Sequence, residues 1–148
     1  MRHAGSILVA VLAAALVAPT ASAQTIGSCP PRMGGTPHPG PYSVYFDFAK
    51  AVLDPQQTAE VHKRAKQAKD IFVTRICLVG YADKVGNAAA NKQLGLARAR
   101  HVASILIADG FPASGIIMDT GGEAYGRFNF GQIDRNKADR RVSIVFNR

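Results

Sequence analysis

An arginine in the second half of the chain stands where an apolar residue should be. Projected at 100° per residue, residues 87–109 form a helix on which Leu94 and Ile105 fall within about 40° of Arg98 on one side and Val102 about 40° away on the other. Asn91 shares that stripe. An inward-facing guanidinium needs an anionic partner, because an uncompensated buried charge costs several kcal/mol. The nearest candidate is Asp83, which follows directly on a strand ending at Tyr81-Ala82; in α/β folds the carboxyl ends of strands are where ligands are held. Two chemistries fit this pair. Asp83 and Arg98 can close an internal salt bridge that fastens a loop to the helix. Alternatively, the fold holds them apart to embrace a small zwitterion, Asp83 taking an ammonium and Arg98 a carboxylate by bidentate hydrogen bonds. Spacing alone leaves both open.

The elements that must position these residues can be read in order. Residues 42–48 put Val44, Phe46 and Phe48 on one side at period two, a strand pattern. Asp54-Pro55 supplies an N-cap and a first-turn proline for a helix to about Asp70. Residues 75–81 are apolar on both faces, as a central strand requires. Asn87 caps the second helix, which Gly110 ends, with Pro112 close behind. Residues 115–120 read as a third strand and 121–139 as a polar loop with one helical turn. Residues 141–146 alternate, with Val142, Ile144 and Phe146 sharing a side. The order β-α-β-α-β-β predicts an α/β (α+β) two-layer sandwich, with helices on one face of a mixed sheet.

The 148 residues carry 18 Lys and Arg against 10 Asp and Glu, a net charge of +8, which argues for one basic domain. Its first stretch is not fold-forming. A basic start at Arg2 and His3, an apolar run over 7–17 and the small residues Ala21-Ser22-Ala23 mark residues 1–23 as a cleaved signal peptide. Its loss removes one cation and leaves +7. Export to a periplasm excludes a cytoplasmic enzyme and makes cell wall and lipid headgroups, not nucleic acid, the natural partners of a basic chain. No later segment is apolar enough for a transmembrane span.

Residues 24–40, rich in Pro and Gly, read as a flexible leader, so the folded domain covers 41–148. Cys29 and Cys77 form a candidate disulfide in an oxidising compartment. Ile26-Gly27-Ser28-Cys29 also loosely resembles a lipidation site, although the better Ala-Ser-Ala cleavage site lies between it and the apolar run.

At these residues the sequence resembles the OmpA-like C-terminal domain, which binds peptidoglycan in Gram-negative outer-membrane proteins, peptidoglycan-associated lipoproteins and flagellar stator proteins. The core of the resemblance is Gly80-Tyr81-Ala82-Asp83-Lys84-Val85-Gly86, then Asn91, Leu94, Arg98-Ala99 and Val102. Phe46-Asp47-Phe48, Leu53, Gly110, Gly122-Glu123 and Asp139-Arg140-Arg141-Val142 with Ile144 flank it. The resemblance implies a ligand, the meso-diaminopimelate of the peptidoglycan stem peptide, whose second amino-acid centre is a zwitterion. It implies that Asp83 and Arg98 are the binding pair, that Asn91 lines the pocket, that Arg140 or Arg141 lies near the carboxylate, and that Asp47 belongs to a loop whose backbone contributes. It tips the balance from the internal bridge to the ligand. Three departures stand out: Ala82 replaces a frequent hydroxyl residue, Gly95 a frequent serine, and Ala124-Tyr125-Gly126 a usual proline.

Other constellations carry less. His3, His38, His62 and His101 are scattered without metal-ligand spacing, and no nucleophile stands beside a base, so the sequence offers no catalytic residues and calls for no metal or cofactor. Gly121-Gly122-Glu123 lacks the lysine of a phosphate loop. His62-Lys63-Arg64 with Lys66 and Lys69 makes the first helix basic, a solvated face or a contact for acidic polymers or headgroups. The expected function is therefore non-covalent wall anchoring. The alternative is a protein-interaction module of the same fold that has lost wall binding and meets an envelope protein through that basic helix.

Overall fold

Helix α1, Pro55–Asp70, begins where Asp54 accepts a hydrogen bond from the Gln57 amide at 2.7 Å, with Pro55 in the first turn. Helix α2, Ala88–Ala108, begins under Asn87, whose Oδ1 accepts from the amides of Ala89 and Ala90 at 2.8 and 3.2 Å. Both starts fall where the capping residues put them. The computed structural model describes residues 25–29, 42–123 and 137–147, so the signal-peptide reading of 1–23 and most of the leader lie outside the described residues.

The strands are β1 (Thr25–Ile26), β2 (Tyr42–Tyr45), β3 (Arg75–Ala82), β4 (Ile116–Glu123) and β5 (Arg141–Asn147), in the sheet order β1-β4-β3-β5-β2. β3 runs parallel to β4 and antiparallel to β5, giving a mixed sheet. Ile76, Leu78, Ile116, Met118, Val142, Ile144 and Phe146 bury one face of it beneath Val61 and Ala65 of α1 and Ala99, Val102 and Leu106 of α2. This is the expected two-layer α/β sandwich.

Three details depart from the sequence reading. β2 stops at Tyr45, because the chain turns away at Ala49 (φ 57°), and Phe48 stays exposed instead of joining Phe46 in the core. β4 runs on to Glu123 across an irregularity in its pairing with β3: Thr120 pairs with Gly80 and Gly122 with Tyr81, leaving Gly121 as the extra residue. A side chain there would collide with the Tyr81 ring. Finally, the start of the segment read as a leader belongs to the sheet. Thr25–Ile26 pairs with Ile117 and Met118, and Cys29 is joined by a disulfide to Cys77 of β3, with Cα atoms 5.9 Å apart.

One contact sets the distance between layers. Gly80 of β3 and Gly95 of α2 meet backbone to backbone: a Cβ at Gly80 would lie 1.8 Å from the Gly95 carbonyl oxygen. The departure at Gly95 thus has a physical use, since a helix without a side chain there settles closer on the strand. Arg98, less than one turn further on, is delivered to the carboxyl end of β3.

Candidate functional site

Asp83 follows β3 immediately and is only 4% exposed, while Arg98 is fully buried. The two do not pair directly through a hydrogen bond. Arg98 donates instead to three backbone carbonyls: Nε to Lys50 at 2.9 Å, Nη1 to Tyr81 at 2.7 Å and Nη2 to Asp47 at 3.3 Å. Its guanidinium carbon lies 5.2 Å from the Phe46 ring centroid. Burial lowers its pKa to about 10, the neighbouring Asp83 charge opposes that shift, and Arg140 adds to it. Arg98 therefore stays cationic at neutral pH. Of its five N–H donors, one on each terminal nitrogen is left over from these three bonds.

Arg140 is the cation that meets Asp83. Its Nη1 donates to Asp83 Oδ2 at 3.2 Å, and its Nε holds the Phe46 carbonyl at 3.1 Å. The internal bridge that spacing allowed between Asp83 and Arg98 is thus replaced by one between Asp83 and Arg140. Arg141 turns the other way. It stacks 4.3 Å over the Tyr81 ring and lies 3.8 Å from the carboxylate of Asp139, on the sheet face away from the helices.

Asn91, also buried, donates from Nδ2 to the Val85 carbonyl at 3.1 Å and so pins the turn after Asp83 to α2. That turn passes through Gly86 at φ 97°, a left-handed conformation suited to glycine. Asp47 enters through its carbonyl. Its carboxylate faces solvent and accepts from Lys50 Nζ at 3.1 Å, a bond that holds its pKa below the usual carboxylate value. Asp83, Arg98, Arg140, Asn91 and the backbone of Asp47 are gathered in one place, and Arg141 is not among them. The carbonyls of Lys50 and Tyr81 were invisible in the sequence, because a backbone acceptor has no residue-type signature.

Fold and site together define a small α/β domain with a desolvated acid–arginine cluster at one end of its sheet. No group of three or more metal-ligating side chains occurs among the described residues. The chain belongs to the OmpA family, which matches residues 45–141.

It is 34% identical over 113 residues to outer membrane protein A of Serratia odorifera, an alignment covering 68% of this chain and 46% of that protein. The chain thus spans less than half the length of that relative. Among solved structures, the peptidoglycan-associated lipoprotein of Burkholderia pseudomallei superposes with a TM-score of 0.63 at 25% identity, over 71% of this chain and 89% of that one. The C-terminal domain of Helicobacter pylori MotB gives a TM-score of 0.61 at 18% identity, over 72% and 84%, a likeness of fold. The family is known for association with peptidoglycan. Among the described residues no helix is long and apolar enough to cross a membrane.

Proposed function

We propose that this domain binds peptidoglycan without covalent attachment, by capturing the free zwitterionic centre of diaminopimelate between Asp83 and Arg98, and so anchors an exported, periplasmic protein to the cell wall. The observation that carries the reading is a fully buried arginine, tied only to backbone carbonyls, beside a buried aspartate at the carboxyl end of the central strand. An arginine kept for structure alone would be expected to consume its carboxylate. Here the acid keeps acceptor capacity beyond its single bond to Arg140, and Arg98 keeps two N–H donors.

Capture follows from that arithmetic. The ligand ammonium joins or displaces Arg140 on Asp83, and the ligand carboxylate takes the two remaining donors of Arg98. Arg98 is covered in the present state, so entry requires the 47–50 loop, held down by its own carbonyls, to give way. Asn91 keeps the Asp83 turn in position throughout.

Sedimentation with insoluble peptidoglycan tests the proposal. Asp83→Ala and Arg98→Ala should each lose a desolvated charged contact worth about 2–5 kcal/mol and fall to background retention, with circular dichroism unchanged. Peptidoglycan carrying lysine in place of diaminopimelate offers the ammonium without the second carboxylate and should not retain the wild-type chain. Retention that survives both substitutions would refute the pocket, and a wild-type chain that is not retained at all would leave the protein-interaction module as the reading.

A further inference from the structure

The two helices leave the fold by the same motif with different residues. After α2, Gly110 takes φ 98°, with Gly110 N bonded to Ile107 O and Phe111 N to Leu106 O. After α1, Phe72 takes φ 60°, with Phe72 N bonded to Lys69 O and Val73 N to Ala68 O. In both, a left-handed residue closes the helix and the next residue, Phe111 or Val73, is buried. Glycine serves this position at no steric cost, and a bulky aromatic residue is strained there. The fold's own demand at 72 is therefore for glycine. Phe72 nevertheless stands there, 82% exposed, the most exposed large apolar side chain among the described residues.

Its surroundings are cationic. Lys63, Lys66 and Lys69 are exposed along α1, and Arg75 is exposed three residues beyond Phe72. The acids nearby are largely occupied. Asp109 is 2.8 Å from His62 Nδ1, its carbonyl accepts from Lys69 Nζ, and Glu60 is held by Arg64 at 2.8 Å, which leaves Asp70 as the exposed opposing charge. An exposed apolar ring on an end of the domain that carries exposed lysine and arginine matches the chemistry of a bilayer surface, with hydrocarbon beneath anionic headgroups.

We propose that this pole of the domain, with Phe72 at its centre, docks on an anionic phospholipid surface. Phe72 and Arg75 stand at the amino end of β3 and Asp83 just beyond its carboxyl end, so the eight residues of the strand separate the two poles by about 26 Å. The surfaces point in opposite directions. If the wall-binding reading above also holds, the domain bridges wall and membrane; vesicle binding itself does not rest on that reading.

The test is co-sedimentation of the purified protein with vesicles of phosphatidylglycerol and phosphatidylcholine in equal parts, against phosphatidylcholine alone. The protein should pellet with the first at low salt and not with the second. Phe72→Gly should weaken partitioning about tenfold or more while raising the denaturation midpoint, which separates lost docking from lost folding. Lys66→Gln with Arg75→Gln should weaken it further, by about fivefold for each charge. The chain has no tryptophan, so Phe72→Trp provides a single indole whose emission should shift to the blue when anionic vesicles are added. Failure to pellet with anionic vesicles, unchanged binding by Phe72→Gly, or an unmoved emission spectrum would each overturn the proposal.

Discussion

Replacing Gly80 with alanine should disarm the site without touching any residue in it. The new Cβ would lie 1.8 Å from the Gly95 carbonyl oxygen, and ordinary contact starts at 3.4 Å, so α2 must withdraw from β3 by roughly 1.6 Å. Arg98 rides on the same stretch of helix, with its two shorter hydrogen bonds at 2.7 and 2.9 Å. A shift of that size takes both beyond hydrogen-bonding range. Each such bond to a charged group is worth about 1.5–3 kcal/mol, and overpacking adds about 1–3 kcal/mol. The expected loss is therefore about 4 kcal/mol or more in urea denaturation, with retention on peptidoglycan falling in step. Gly95→Ala is the graded control. Its Cβ would lie 2.7 Å from the Gly80 oxygen, a smaller conflict that should cost about 1 kcal/mol. If Gly80→Ala cost less than about 1 kcal/mol, or no more than Gly95→Ala, glycine contact would not be what sets the depth of Arg98.

The remaining predictions concern other supports of the fold. Replacing both Cys29 and Cys77 by serine opens a loop of 48 residues and should lower stability by about 4 kcal/mol in the chain-entropy model, read from denaturant midpoints under oxidising conditions. Asn87→Ala removes the cap from α2 beside the Asp83 turn and should cost about 1 kcal/mol by the same assay. His101 has its pKa lowered by burial, so the unfolded chain takes up its proton first as pH falls. Its contribution is fully present above the unfolded value near 6.5 and declines as pH falls through the depressed folded value. His101→Gln should flatten that part of the pH–stability profile, and an unchanged slope below pH 6.5 would contradict the assignment.

Much of this architecture was legible because local chemistry and global need agree. Asp54 and Asn87 start the helices they should cap, and the alternation of Val142, Ile144 and Phe146 gives the face of β5 correctly. The inward position of Arg98 followed from helical period alone, although the buried stripe of α2 is centred closer to Ala99, Val102 and Leu106, which leaves Arg98 near its edge and Leu94 and Ile105 only partly covered. The choice between Arg140 and Arg141 was also encoded. Arg140 is in phase with the core positions Val142 and Ile144, and Arg141 is out of phase, so a period-two count extended by two residues separates them. Other parts carried no signal. Phe48 fits a strand until Ala49 turns the chain, and a two-residue strand such as β1 has no period to detect; its place depends on the open side of β4 and on a cysteine nearly fifty residues away.

That covalent tie changes how the margin of the sheet should be regarded. Two residue pairs of parallel ladder, with two further bonds, from Gly27 N to Met118 O and from Cys29 N to Asp119 Oδ2, are too few to hold a strand against thermal motion. Joined through Cys29 to Cys77, the segment instead competes for β4 at the high effective concentration of a tethered ligand. A strand from another molecule would have to outcompete it for the same row of amides and carbonyls. The disulfide therefore acts as a guard against self-association as well as a brace for the native state. The reduced protein should show it first as concentration-dependent oligomers, ahead of any loss of helix signal.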